Sequence, residues 1–541
     1  VQLVFKDGIG GTMSDNVILT GFMGTGKTTV GQVVARRLGR SFVDMDVEIE
    51  ARAGKSIPAI FAEDGQSAFR RLEAAYNKEL SGEENLVIAT GGGALVDPVN
   101  RALMEASGVV ICLTCDACEI LERVKAAGDC DRPLLDVPDP CAEIEALLGA
   151  RREAYQAIPW HIDTTGLSVE QVTARVIEIA DTVTLPVQHP GGEYPIHVGN
   201  GLLEHAGGAL LAAGVPEGSA IALVSNPVVA PLYGARVERA LRTAGFRPFV
   251  CTVLDGEQHK TLATVAALYD QFLSGGLDRS GTVLSLGGGV TGDEAGFAAA
   301  TFMRGVSFVQ MPTTLLAMVD ASVGSKTGVD LGQGKNLVGA FKQPEVVIVD
   351  PTVLTTLPGE EIRSGMAEVI KHGIIGAPDL FARLESGEPG SEFVVSGSDI
   401  ALALRVKIEI VAQDPFEQGR RAVLNLGHTV GHALERLSGF ERRHGEAVSV
   451  GMVAAARIAA DMGRAAPSLA DRIEAALLAW GLPIQCPPFD AEVIQEAMAH
   501  DKKRRGGVLR WVLPREIGVV EIVEDVPAET VLSVLRGLGA S

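Results

Sequence analysis

The sequence is short of three things, and each shortage excludes something. No apolar run reaches the about 18 residues of a membrane-spanning helix, because Gly, Arg or Asp interrupts every candidate first. Positive charge is scarce: 47 Lys and Arg stand against 68 Asp and Glu, a net charge of -21. Phosphate-backbone binding needs a basic face, so nucleic acid is disfavoured as a partner and any anionic substrate must be held by local Lys and Arg clusters. Cysteine is scarce too. The seven cysteines are scattered and odd in number, which fits reduced thiols in a cytoplasm better than a disulfide framework. No signal peptide is expected, and residues 1–12 read as an extension ahead of a natural start at Met13.

What is present is bulk. With 541 residues, 47% of them hydrophobic and 21% charged, the chain reads as a soluble globular protein of roughly two to four domains. Cys112, Cys115 and Cys118 have the spacing of an iron-sulfur run. The simpler reading makes Cys112 a small core residue, because 109–113 reads as a buried strand and 118–124 as the helix after it. Cys130 comes too late to complete the motif.

From Asn16 a short apolar strand runs into Gly21-Phe22-Met23-Gly24-Thr25-Gly26-Lys27-Thr28-Thr29 and a helix, the full P-loop pattern in its strand-to-helix setting. Backbone N–H groups can turn inward around phosphates, Lys27 can reach their outer oxygens, and Thr28 can ligate magnesium. Asp44 and Asp46 end a second predicted strand, two positions apart and facing one way, so that one could serve magnesium and the other accept a hydroxyl proton. Arg70, Arg132 and Arg151, with the Gly91–Gly93 turn after strand 86–89, suggest a small acceptor bearing a carboxylate and a mobile arginine over the nucleotide. Gly54-Lys55-Ser56 lacks the upstream glycine and reads as a turn. Ser168-Val169-Glu170-Gln171 is a capping-box start for a helix over 172–180 that closes this unit.

These residues together resemble shikimate kinase over about residues 13–180. The resemblance implies ATP on Gly24, Thr25, Gly26, Lys27, Thr28 and Thr29, with magnesium on Thr28 and Asp44. It implies shikimate on Asp46, Arg70, Gly92 and Arg151, Asp46 as the base, and Arg132 on a lid over ATP. Gln66 and Glu153-Ala154 depart from the family's usual residues without touching that chemistry.

Strand-like sequence resumes at Thr184 with no long linker. A hairpin around Pro190-Gly191-Gly192 is followed by strands at 220–224, 248–253 and 282–286 alternating with helices at 233–244 and 262–273, which predicts a Rossmann-type parallel sheet. Gly287 to Gly292 satisfies G-x-G-x-x-G weakly, because the acidic residue expected about 20 positions on is missing. Glu257 and Lys260 could hold a ribose instead. Thr313, Thr314, Asp320, Lys326, Lys335 and Asn336 make a run too polar for plain core, and lysines on loops in so acidic a chain point to an anionic ligand or to a solvated surface.

After Leu357 the pattern turns helical. His428, His432 and His444 fall within one turn-helix unit, with His428 and His432 on one helix face, and Glu368 could complete a two-His, one-carboxylate zinc site. The alternative is a set of core, cap and surface histidines.

At this point the resemblance is to 3-dehydroquinate synthase, from about Thr184 to the C-terminus. It implies zinc or cobalt on Glu368, His428 and His444, with His432 and Glu417 as proton acceptors. NAD+ would be met by Asn226, Glu257, Lys260, Gly288, Gly289, Val290, Asp293, Thr313, Thr314, Lys335, Val353 and Thr356. Substrate contacts would come from Arg304, Asp320, Lys326, Asn336, Lys371, Lys407, Arg421, Asn425 and Lys502 or Lys503. Met318, Ala321 and Ser325 stand where Gln, Ser and Gly are common, and Pro415-Phe416 interrupts a usually acidic stretch before Glu417.

The resemblances imply three units: a P-loop kinase at 13–180, an α/β NAD-binding unit at 184–355 and a mainly α-helical unit at 356–541. They imply two reactions: phosphorylation of shikimate, and conversion of 3-deoxy-D-arabino-heptulosonate 7-phosphate to 3-dehydroquinate and phosphate. In the second, NAD+ oxidises an alcohol reversibly so that the neighbouring C–H becomes acidic, and phosphate leaves from a metal-stabilised carbanion. A synthase homodimer is implied as well. Alternatives are another sugar-phosphate cyclase or a metal-dependent polyol dehydrogenase for the second half, and an inactive P-loop module for the first.

Overall fold

The computed structural model describes residues 16–126, 137–386, 395–417, 419–439, 441–504 and 509–541. Met13, Cys130 and Arg132 therefore lie outside the described residues, as does the side chain of Lys502.

Two sheets, one wholly and one mostly parallel, organise the chain. The first is five-stranded and all parallel, with Asn16–Gly21 at its centre between Leu86–Ala89 and Gly108–Thr114, and Ser41–Asp44 and Trp160–Asp163 at the edges. The central strand is wholly buried, as expected where helices cover both faces of a parallel sheet. The predicted capping box is present: Ser168 and Gln171 exchange side-chain and backbone hydrogen bonds at the start of helix Val169–Ala180.

Strand Val183–His189 follows almost at once and pairs antiparallel with Gly192–Val198 as the predicted hairpin. That hairpin forms one side of a seven-stranded sheet, which continues in parallel through Val346–Val349, Ser307–Pro312, Thr282–Gly287 and Ala220–Ser225 to Arg247–Thr252. Beyond Pro358 helices dominate, although the last stretch adds a small antiparallel pair, Trp511–Glu516 with Val519–Val523. One cluster of buried apolar side chains runs from Val17 and Trp160 through Tyr194 and Leu286 to Ile458.

Three expectations are corrected. The second strand stops at Asp44, whose carboxylate caps helix Met45–Ala53, so Asp46 sits in a first helical turn and not on a strand. His444 does not share a unit with His428: each begins its own helix, His428–Leu437 and His444–Asp461. Thiols are not all reduced, since Cys118 and Cys141 form a disulfide; Cys112, Cys115, Cys251 and Cys486 are free and buried. With Cys112 in the sheet core and Cys118 paired elsewhere, the iron-sulfur reading is untenable.

Backbone approach around helix His444–Asp461 is close. A Cβ added at Gly451 would lie 1.8 Å from the Gly427 carbonyl oxygen, and one at Gly445 would lie 2.0 Å from that of Ser364. Gly451→Ala should therefore lower the melting midpoint markedly, by about 1–3 kcal/mol or more of destabilisation from overpacking. Gly149→Ala, in helix Pro140–Gln156 with nothing within 4 Å, should leave the midpoint unchanged or raise it slightly. Equal effects in a thermal melt would contradict this packing.

Candidate active sites

The first site is a cavity of about 730 Å³ at the C-terminal edge of the five-stranded sheet. Its walls include the P-loop from Gly24 to Thr29 together with Asp44, Asp46, Arg70, Gly92 and Arg151. Lys27 donates to the Gly21 and Phe22 carbonyls, both at 2.9 Å, and burial lowers its pKa to about 8 against the opposing pull of Asp46, Cys112 and Asp44. Thr28 Oγ1 lies 2.6 Å from Asp44 Oδ2, a pair of oxygens suited to a hard cation. Arg151 and Tyr155 both donate to the Gly92 carbonyl, at 2.8 and 2.7 Å. Arg70 pairs with Glu73 at 2.5 Å; burial raises the Glu73 pKa while Arg70 opposes it.

Sequence reasoning missed Arg123 here. It lines the cavity and donates to the Thr164 carbonyl at 2.7 Å and Thr164 Oγ1 at 3.0 Å, fastening helix Ala117–Ala126 to the sheet. Nothing in its local sequence marks it, because the contact partners are 41 positions away.

The second site forms where the helices meet the seven-stranded sheet. Glu368, on helix Gly359–Gly376, has no exposed surface, and neither carboxylate oxygen makes a hydrogen bond of good geometry, although Lys371 forms an ion pair with it one turn on. His444 Nε2 and His428 Nε2 lie 3.5 and 3.9 Å from Glu368 Oε1. The opposite nitrogens are tethered: His428 Nδ1 to the Leu426 carbonyl at 3.1 Å, and His444 Nδ1 to Glu435 at 3.3 Å. These tethers direct both Nε2 atoms toward Glu368, and the three donors lie within 4.8 Å of one another. The ring of His432 stands 5.1 Å from that of His428, edge to face.

Electrostatics suit a cation at this point. Burial would raise the Glu368 pKa, but Lys371 and the two imidazoles outweigh it and hold the carboxyl well below the usual range. Burial, then Lys371, keeps His428 neutral. Burial opposes the proton on His444, yet Glu368 and Glu435 draw its pKa up to about 10, so a divalent ion bound there would take that proton's place. Asp320, Glu368 and His372 form a second donor set, but Lys407 already holds Asp320 at 2.6 Å. The sequence offered a signal for Glu435 that went unused: it follows His428 and His432 at seven and three positions, on the same helical stripe.

Around this cluster the expected anion-binding groups are mostly inward and partnered. Lys371, Lys407 and Arg421 are buried. Arg421 donates to the Pro415 carbonyl at 3.2 Å, while Asn425 ends the 3₁₀ turn Arg420–Asn425 three positions before His428. Lys326 and Lys335 lie not on loops but on the paired strands Lys326–Leu331 and Gly334–Phe341. Lys326 forms an ion pair with Glu417, whose φ of 57° is a left-handed conformation. Arg304 stands apart: it is exposed after the far end of helix Gly289–Thr301, whose 13 residues span about 20 Å.

The glycine-rich turn opens that same helix. Side chains at Gly288 and Gly289 would crowd Thr314 at 3.2 Å and Ala321 at 3.4 Å, so the bare backbone suits a close-lying ligand. Val290 is half-buried in the helix's first turn, and Thr313 Oγ1 is buried without a hydrogen-bond partner. Lys260 is buried between Asp293 at 2.5 Å and Asn336 at 2.6 Å, and Lys335 pairs with Glu257 at 3.6 Å. Asn226 is held by Asp255 and by the backbone of Val228 and Val229. Tyr233, which the sequence did not flag, bonds the Val353 carbonyl at 3.0 Å and Thr356 Oγ1 at 2.6 Å.

Comparison with known proteins agrees with this geometry. The shikimate kinase family model matches residues 23–181, and the N-terminal and C-terminal 3-dehydroquinate synthase models match 250–364 and 365–504. A 3-dehydroquinate synthase from a Synechococcus species is 46% identical over 367 residues, covering 66% of this chain and 99% of the relative. One from Pelotomaculum thermopropionicum is 48% identical over 333 residues, covering 60% and 88%. Among solved structures, a 2-epi-5-epi-valiolone synthase from Streptomyces hygroscopicus, with NAD+ and Zn2+ bound, is 28% identical with a TM-score of 0.58, covering 64% of this chain and 96% of its own. A 2-deoxy-scyllo-inosose synthase complexed with carbaglucose-6-phosphate, NAD+ and Co2+ is 25% identical with a TM-score of 0.59, covering 66% and 99%. The chain belongs to the 3-dehydroquinate synthase family and carries a shikimate kinase segment ahead of it, which makes it a bifunctional enzyme of the shikimate pathway.

Proposed function

We propose the following residue roles for the two activities. In the kinase, the Gly24–Thr29 backbone cradles the ATP phosphates with Lys27 on their outer oxygens, and Thr28 and Asp44 serve magnesium. Arg70, Arg151 and Gly92 hold shikimate while Asp46 accepts the proton of its attacking hydroxyl. Arg132 is proposed as the lid arginine. The shared cavity wall and the Thr28–Asp44 contact support this assignment.

In the synthase, Glu368, His428 and His444 are the proposed ligands of a divalent cation. The paired Nδ1 tethers, one of them a carboxylate, carry the reading, because they aim two imidazole Nε2 atoms at one buried carboxylate. Gly288 to Val290, Thr313 and Thr314 are proposed to line the NAD+ pyrophosphate path, with Lys260, Asp293, Glu257, Lys335 and Asn226 around it and Val353 and Thr356 bordering it. When bound, the dinucleotide takes up and returns a hydride and the cation polarises the oxygen being oxidised. Lys371, Lys407, Lys326, Asn336, Arg421, Asn425 and Lys502 orient the sugar phosphate, and Asp320 holds Lys407 in position. His432, beside the ligand pair, accepts a proton, and Glu417 accepts a second. Arg304 is proposed as a further substrate contact.

The proposed units are 13–180, 184–355 and 356–541. A synthase homodimer working in the cytoplasm on small anionic substrates, without nucleic acid or a membrane, is the assembly we favour. A net charge of -21 disfavours a nucleic-acid partner, and no helix among the described residues is long and apolar enough to cross a membrane.

Four outcomes test these roles. Lys27→Ala should lower ATP-dependent phosphorylation of shikimate by about a hundredfold or more while phosphate release by the synthase stays within twofold. Loss of both activities together would contradict separate sites.

The proton on Lys27 gives a pH signature. With its pKa lowered to about 8, the free enzyme loses this charge as pH rises, whereas ATP phosphates favour the ammonium. ATP affinity should therefore weaken between about pH 7 and 9, with proton uptake on binding seen by calorimetry in buffers of different ionisation enthalpy. Proton-neutral binding across that range would be inconsistent with Lys27 on the phosphates.

Glu435→Gln keeps the size of the side chain but weakens the hold on His444, so zinc or cobalt affinity should fall about 10–100-fold, measured by competition with a chromophoric chelator. Metal removal should abolish the synthase and spare the kinase once magnesium is restored. Unchanged metal affinity in the variant would remove the tether from the account.

A further inference from the structure

Two contacts join the paired strands Lys326–Leu331 and Gly334–Phe341 to the turn that carries Glu417, and they stand side by side. One is the Lys326–Glu417 ion pair. The other is aromatic: the rings of Phe341 and Phe416 lie 5.7 Å apart at 87°, edge to face. Lys326 and Phe341 are direct partners across the hairpin register, so their side chains leave the same face of the ribbon. Phe416 and Glu417 are consecutive, so one short stretch of backbone carries both contacts on the other side.

The turn is tied down at its base. Buried Asp414 accepts from the backbone N–H groups of Gly419 and Arg421 at 2.8 and 2.9 Å, and the Glu417 N–H donates to the Asp414 carbonyl at 3.3 Å. None of these bonds orients the Glu417 side chain. Its φ of 57° is a conformation that a residue with a Cβ adopts at a cost, and such a conformation persists where neighbouring contacts fix it. An ion pair between side chains 48% and 30% exposed is weak and loosely directed. Edge-to-face rings are directional, and this pair is only one residue away. Neither ring fills the interior, since Phe341 is 53% and Phe416 54% exposed.

We propose that Phe341 and Phe416 are positioning residues for the synthase reaction: their contact fixes the turn against the hairpin, so that the Glu417 carboxylate stays beside Lys326 and in place to accept a proton. The rings themselves touch no reacting atom. This inference rests on the proton-accepting role proposed above for Glu417 and deepens it. It also gives a task to Phe416, which with Pro415 interrupts a usually acidic stretch.

The test measures steady-state phosphate release by the full chain loaded with metal and NAD+, with shikimate phosphorylation by the same preparation as internal reference. Phe416→Ala and Phe341→Ala should each lower the synthase kcat about three- to tenfold, the rate equivalent of one aromatic pair. KM and the kinase rate should stay within about twofold, and the melting midpoint should hardly move, because neither ring leaves a buried cavity behind. Phe416→Tyr, which keeps the ring, should restore kcat. The double alanine variant should be no slower than either single one, because the same contact is lost in each. In a Glu417→Gln chain, itself slowed about a hundredfold, Phe416→Ala should cost nothing further, whereas a general loosening of the fold would add to the defect. If Glu417→Gln keeps the parental kcat, the proton-accepting role fails and the positioning role falls with it. If Glu417→Gln is slow but both alanine variants keep kcat within about twofold of the parent, or the double variant shows the product of the two single losses, the positioning role is overturned while Glu417 keeps its own.

Discussion

A carboxylate with no exposed surface is the feature on which the synthase half depends. An isolated charge in such a place is strongly disfavoured, and it persists only where opposite charge and hydrogen-bonding groups are fixed around it. Glu368 meets that condition through Lys371 one turn on and through His444 and His428 from two other helices. Those helices can come close enough because Gly445 and Gly451 allow the backbone of His444–Asp461 to lie directly against Ser364 and Gly427. Packing and electrostatics are thus one constraint: a Cβ at either glycine would move an imidazole relative to the acid as well as cost stability.

The same logic governs the cations. In a chain of net charge -21, three of the lysines around the cleft are withdrawn from solvent. Lys260, Lys371 and Lys407 are each buried against an internal acid: Asp293, Glu368 and Asp320 respectively. Burial favours the neutral form of Lys407 while Asp320 opposes it, and burial would raise the Asp320 pKa while Lys407 more than offsets it, so each sustains the charge of the other. In the residue roles proposed above, a substrate phosphate would meet donors already oriented, which is the condition for strong electrostatic stabilisation without rearrangement.

Much of this was legible in the sequence, for physical reasons that differ by element. The P-loop was readable because turn, strand and helix requirements fall on adjacent residues, and the alternating strands and helices were readable because their apolar periods are local. Glu368, His428 and His444 were found as residue types, but their convergence depends on three helices and is not local. Asp46 was placed on a strand because alternate spacing suits a strand, whereas the Asp44 carboxylate captures the next N–H groups and starts a helix. Arg123 and the Cys118–Cys141 disulfide were invisible for a related reason, since each joins segments 20 or more positions apart. Ser325 is the converse case: it stands where glycine is common and still adopts a φ of 58°, so the backbone demand outlasts the residue that usually meets it.

The kinase and synthase sites are built on opposite strategies. In the kinase, Lys27 is tied only to backbone carbonyls and is lowered toward neutral pH by burial, so nucleotide binding itself can set its charge. In the synthase, Lys371 and Lys407 are ion-paired with Glu368 and Asp320 before any ligand arrives, although burial still lowers the Lys407 pKa. A nucleotide carries several negative charges and can induce the charge it needs, whereas a C–H bond that must become acidic requires its electrostatic surroundings in advance. The shared core from Val17 to Ile458 joins the two sites into one folded chain, so that two clefts with different electrostatics stand on one packed interior.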